Sequence, residues 1–104
     1  MHTMLFDFYG DLLTEKQREY YDLHFNSDLS LQEIAEQSGV SRQAVWDIIR
    51  RAEQSLLEIE EKTGLVSRAV RRRKSLEELE KIISALPDGE NKAEMLRIME
   101  ELND

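Results

Sequence analysis

The stretch SLQEIAEQSGVSRQAVWDIIRR, Ser30 to Arg51, constrains this 104-residue chain more than any other feature. Ser30 followed three residues later by Glu33 is a capping box, in which each residue satisfies an amide of the other and opens a helix. That helix stops after Gln37, because Gly39 takes the left-handed backbone conformation at little steric cost. Ser41 then caps the next helix. Ile34 and Ala35 face inward, the small Ala35 allowing close approach. Val40 is expected to plug the gap between the helices, with Val45 and Ile48 returning to close the core. Helix, tight glycine turn and second capped helix in this order make a helix-turn-helix, a device met mostly on DNA.

The charge sits awkwardly with that reading, since the chain carries a formal −8 and nucleic acid is a polyanion. The distribution is uneven, however. Residues 1–64 hold six Lys/Arg against thirteen Asp/Glu, whereas 65–75 hold five basic residues and no acid. From Leu76 onward three basic residues meet nine acids. Local fields rather than net charge decide where a polyanion can sit.

The rest of the chain reads as helix, with no period-two alternation to suggest a sheet. Met4 to Leu13 offers Leu5, Phe8, Tyr9 and Leu12 at helical spacing, broken by Gly10. Thr14 and Gln17 form a second capping box, opening a helix that buries Tyr20 or Tyr21, Leu23 and Phe25. The helix begun at Ser41 continues to Thr63-Gly64, carrying Val45, Ile49, Ala52, Leu56 and Ile59 in alternating steps of four and three. A second such seam follows: Leu65, Ala69, Arg72, Leu76, Leu79, Ile83 and Leu86. Pro87 ends it, with a break at Ser75, capped by Glu78, as an alternative. Asn91 with Glu94 is expected to cap a last short helix bearing Met95, Met99 and Leu102. Seams of this period require partners, supplied by an intramolecular hairpin or, as the favoured reading, across a homodimer. The expected fold is therefore all-α: residues 1–64 form a helix-turn-helix bundle with an extended recognition helix, and 65–104 form a helical extension for packing or dimerisation.

Two groups of residues are candidates for binding. On the solvent face of the helix from Ser41 project Ser41, Arg42, Gln43, Trp46, Asp47 and Arg50, with Arg51 beside them. Arg pairs with guanine and Gln with adenine along base edges, and Arg50 and Arg51 suit phosphates. Trp46, between Arg42 and Arg50, is placed either to stack on a base or to pack. Asp47 opposes phosphate and is positioned for a surface ion pair with Arg51. The second group is the island of Arg68, Arg71, Arg72, Arg73 and Lys74. It grips phosphates or an acidic protein, or else is neutralised by Glu77, Glu78 and the acidic EIEEK segment.

Several classes are excluded. No glycine-rich phosphate loop, HExxH or nucleophile elbow is present, and His2 and His24 are the only histidines. No enzyme, metal site or cofactor is expected. The chain has no cysteine, no signal-peptide pattern at its N-terminus and no apolar run long enough to insert in a membrane, which fits a cytoplasmic protein.

Leu13 to Ala52 resembles region four of bacterial primary-type sigma factors, in the features LT..QR, LSLQEIAE, GVSRQAV and the following Ile. It departs from them at Trp46 and Asp47, where sigma factors tend to carry Arg and Gln, and at Ser38, which replaces an apolar residue. More narrowly, LFDFYGDLLTEKQREYYDLHF, SLQEIAEQSGVSRQAVWDIIRR and LLEIEEKTGLVSR resemble the YlxM family of small bacterial proteins. That resemblance covers most of the chain and is specific at DFYG.LLTEKQR. It implies a cytoplasmic helical protein with a sigma-like helix-turn-helix. It also implies a role in the signal recognition particle pathway, drawn from family genes adjoining those for the particle's protein and its receptor. The function expected is nucleic-acid-binding regulation, on DNA or on the particle's small RNA. The alternative is an accessory factor that docks on the particle's proteins.

Overall fold

The computed structural model describes residues 1–103. Its helices are α1 (His2–Tyr9), α2 (Glu15–Phe25), α3 (Leu31–Ser38), α4 (Arg42–Thr63), α5 (Leu65–Ser84) and α6 (Glu90–Leu102), with a 3-10 turn at Gly10–Leu12 after α1. No strand occurs among the described residues, and no helix there is long and apolar enough to cross a membrane. The protein is all-α, as the helical periodicity requires. Its contacts divide it into two compact units, Met1–Val66 and Ser67–Asp104.

In the first unit α4 is the spine. The N-terminal part of its inner face, Val45 and Ile49, packs with Tyr20 of α2 and with Ile34 and Ala35 of α3. Its C-terminal part, Ala52 and Leu56, packs with Leu5 and Tyr9 of α1, Tyr21 of α2, and Val66. Phe25 touches both clusters. The seam of α4 is thus filled within one chain by α1, α2 and α3. That corrects the expectation that it needs a hairpin or dimer partner: three short helices together cover the stripe that one long helix would.

The helix ends follow the sequence closely. Thr14 with Gln17 and Ser30 with Glu33 both form complete capping boxes, and Ser41 Oγ accepts from the Ala44 amide at 3.1 Å. Gly39 (φ +68°) and Gly64 (φ +64°) close α3 and α4 in the left-handed region. At each of these glycines a Cβ would meet nothing within 4 Å, so backbone conformation rather than crowding selects the residue.

Other details differ from expectation. Phe8 is exposed on α1, and Leu12 is exposed because α1 ends at Tyr9 and the tighter 3-10 winding carries it off the buried stripe of Leu5 and Tyr9. Val66, not Leu65, enters the core, and a polar node explains it. Glu60 Oε1 accepts from the Val66 amide at 2.9 Å and from Tyr9 Oη at 2.7 Å. Thr63 Oγ1 lies 2.6 Å from the same hydroxyl. Glu60 therefore supplies an acceptor to an amide in the first turn of α5, which would otherwise lack one, and sets the register in which Val66 points inward.

The second unit is a helical hairpin. Ser75 makes no break, since α5 runs unbroken to Ser84. The cap of α6 falls at Gly89 rather than Asn91, with no side-chain hydrogen bond. Lys92 Nζ donates to the Ser84 carbonyl at 3.2 Å near the connection, and Arg72 Nη2 donates to the Leu102 carbonyl at the far end, so the two helices are antiparallel. Of the expected seam only Leu76 and Ile83 are buried, together with Met99.

Candidate nucleic-acid interface

The candidate surface is the outer face of α4, whose inner face is locked into the core. With Val45, Ile49 and Ala52 buried, the 3.6-residue period turns the intervening residues to solvent. Ser41, Arg42, Gln43, Trp46, Arg50 and Arg51 are all exposed. Arg42, Trp46 and Arg50 follow one another four residues apart, which places them as neighbours in one row along the helix. The structure leaves the expected reading residues exposed along α4. Ser41, Arg42 and Gln43 stand at its start, where a recognition helix meets base edges. Arg50 and Arg51 stand two turns on, Arg51 half a turn around the helix from Arg42.

Trp46 is 45% exposed and so contributes little to the core. A large, half-bare indole, one turn from Arg42 and one from Arg50, is a stacking surface for a base or another aromatic group. Val40 is 38% exposed and does not plug the turn as expected. Its amide donates to the Ala35 carbonyl at 3.2 Å, which holds its backbone to the end of α3 while Leu29, Leu31 and Ile48 fill the space beside the buried cluster.

The electrostatics of this face are mixed. Arg42, Arg50 and Arg51 form no ion pair among the described residues, so their charge is available. The expected Asp47–Arg51 pair is absent there. Asp47, which is partly buried, instead accepts from Gln43 Nε2 at 3.2 Å. Gln43 must release this bond to read a base. On α3, Glu33 faces solvent, and the Ser30 amide followed by the Ser30 hydroxyl holds its carboxyl below the usual range. Behind the face, burial and then the Glu53 charge push the Tyr21 phenol well above its ordinary range. Tyr21 Oη donates to the His2 carbonyl at 3.1 Å.

The second candidate group lies on α5. Arg68, Arg71, Arg72, Arg73 and Lys74 are exposed. Arg72, the polar member of the seam, is held by the C-terminal carbonyl of α6 instead of a carboxylate. The pairs expected of Arg73 and Lys74 with Glu77 and Glu78 do not form among the described residues.

Comparison with known proteins places this geometry. Residues 1–97 match the model of the UPF0122 family, described as "Putative helix-turn-helix protein, YlxM / p13 like". The UPF0122 protein of Geobacillus kaustophilus is 48% identical over 100 residues, covering 96% of this chain and 89% of the relative. That of Thermoanaerobacter pseudethanolicus is 45% identical over 100 residues, covering 96% and 86%. The relative from Shouchella clausii is 53% identical over 81 residues, covering 78% and 74%.

Proposed function

The chain belongs to the UPF0122 family of YlxM / p13-like helix-turn-helix proteins, and from that premise we propose that it is a non-enzymatic regulator that binds nucleic acid through the outer face of α4. The observation that carries this reading is the exposed row of Arg42, Trp46 and Arg50 on a helix whose inner stripe of Val45, Ile49, Ala52 and Leu56 is buried. Such a helix cannot rotate without exposing Val45, Ile49 and Ala52, so its cationic, aromatic row is presented in one orientation. Pre-positioning of this kind spares the ordering cost of binding.

Each residue has a distinct role. Arg42, near the N-terminus of α4, reaches base edges, and Gln43 joins it once released from Asp47. Arg50 and Arg51, two turns on, contact phosphate. Trp46 stacks. Few cations and one carboxylate imply modest affinity and a shallow dependence on salt. The likeness to the YlxM family, with the link to the signal recognition particle that it implies, supports a place in that pathway, with the particle's RNA or a DNA site as target.

One observation favours a second reading, in which the same face docks on a protein of the particle. Asp47 and the acidic remainder of the first unit oppose a polyanion. Gel retardation with genomic duplex fragments and the particle's small RNA, at two salt concentrations, separates the two. Saturable binding that weakens with salt and is lost in an Arg42→Ala/Arg50→Ala variant supports the first. No binding at low salt, with capture of the particle's purified protein instead, supports the second.

A further inference from the structure

The hairpin of α5 and α6 leaves one face uncovered. Leu76, Ile83 and Met99 form its line of buried side chains. Beside that line lie Leu79, Ile82 and Leu86 from α5 and its following turn, and Met95, Ile98 and Leu102 from α6, between 38% and 64% exposed. The two triplets occupy identical offsets, four before, one before and three after the buried Ile83 and the buried Met99 respectively. Antiparallel helices in contact are related by a local two-fold axis perpendicular to their common plane, so equal offsets fall on the same side of the hairpin. Leu86 and Met95 confirm the continuity, since both line one shallow hollow at the connection. The result is a single apolar face, on the order of a few hundred Å², which is the scale at which a patch on a soluble protein marks an interaction surface.

The charges indicate what covers it. In the half of the hairpin remote from the connection, residues 67–75 and 95–103, six Lys/Arg meet two Asp/Glu. In the half that contains the connection, residues 76–94, two meet six. Arg71, Lys74, Glu78 and Glu90 have no ion-pair partner among the described residues. An apolar face flanked by opposite and equal net charges, with these four groups unpaired, is complementary to itself when reversed. We propose that this face is the surface through which two copies of the chain associate, apolar stripe against apolar stripe, the basic end of each over the acidic connection of the other. A two-fold contact of this kind uses the same patch on both copies. It also supplies the second layer that a lone helical pair lacks, and the same-end alternative would set like charges together.

Sedimentation equilibrium of the full chain, from low micromolar to sub-millimolar concentration, tests the proposal. The expected species is a dimer of the 12.2 kDa chain that weakens as salt is raised. Ile82→Glu/Ile98→Glu raises the dissociation constant about a hundredfold or more with helicity unchanged. Should those charges disturb the helices, Ile82→Ala/Ile98→Ala must still weaken association by about tenfold. Leu57→Glu, at an exposed site on α4 in the first unit, leaves it intact. Arg71→Glu/Lys74→Glu weakens the dimer, and adding Glu90→Lys/Glu94→Lys in the same chain restores it. A monomer throughout, or a dimer indifferent to the Ile82 and Ile98 changes, overturns the proposal. Failure of the combined reversal to restore association overturns the reversed arrangement.

Discussion

Replacing Gly39 with alanine isolates the turn that aims α4. The residue sits at φ +68° and an added Cβ meets no atom within 4 Å, so no clash contributes. The cost is that of holding a Cβ-bearing residue in the left-handed region, about 1–2 kcal/mol. Against it stands the reduced freedom of the unfolded chain, which returns about 0.4–1 kcal/mol. The net expectation is a loss of about 1 kcal/mol, or roughly 4–8 °C in melting temperature for a unit of this size. Urea unfolding followed by the emission of Trp46, the one tryptophan, reads the first unit selectively. Gly39→Asn, which tolerates the left-handed region, recovers a good part of the loss. Unchanged or increased stability in Gly39→Ala would refute the reasoning, because it would place Gly39 in ordinary helical or extended space and leave the aim of α4 without a cause.

Other substitutions probe the interior. Tyr20 is buried and its hydroxyl has no hydrogen-bond partner among the described residues, so Tyr20→Phe is expected to be neutral or stabilising by up to about 1 kcal/mol in urea titration; a comparable loss would contradict this. Glu60→Ala strands the Val66 amide and leaves the Tyr9 hydroxyl with Thr63 alone, costing about 2–3 kcal/mol, whereas Tyr9→Phe costs about 1 kcal/mol. The reverse ranking would remove Glu60 from the centre of that node. The depressed Glu33 carboxyl means the folded chain holds this group ionised where the unfolded chain has begun to bind a proton. Its stabilising contribution is present above the ordinary carboxylate range and is lost as pH falls through it. Glu33→Gln, which removes the titrating group, should flatten the acid limb of a stability–pH profile, and an unaltered limb would exclude Glu33 as a contributor. The raised Tyr21 phenol acts at the other end, with stability falling as pH rises past the ordinary tyrosine range, and Tyr21→Phe should lessen that fall.

What was legible in the sequence was local. Ser30, Ser41, Gly39, Gly64 and the Thr14–Gln17 pair act within a turn or two of the backbone, so helix ends and the aim of α4 followed from neighbours a few residues away. Features settled by distant chain were not legible in the same way. Periodicity marked the α4 seam as apolar but not that α1, α2 and α3 would fill it. Leu65 and Val66 are equally apolar, and only the reach of Glu60 to the Val66 amide chooses between them. The short turn marks Val40 as a plug, yet it is exposed, and Leu29, Leu31 and Ile48 are the side chains that pack against the neighbouring cluster. The exposed row on α4 was predictable once the buried side was known. The Gln43–Asp47 bond was not, since Arg51 stands at an equivalent spacing from Asp47.

Amide chemical-shift mapping during titration with a short duplex and with the particle's small RNA tests the central claim most directly. Perturbations concentrated at residues 41–51, with the Trp46 indole moving furthest and all of them shrinking as salt rises, are the predicted result. Shifts confined to other surfaces, or a spectrum unmoved at low salt, would contradict it.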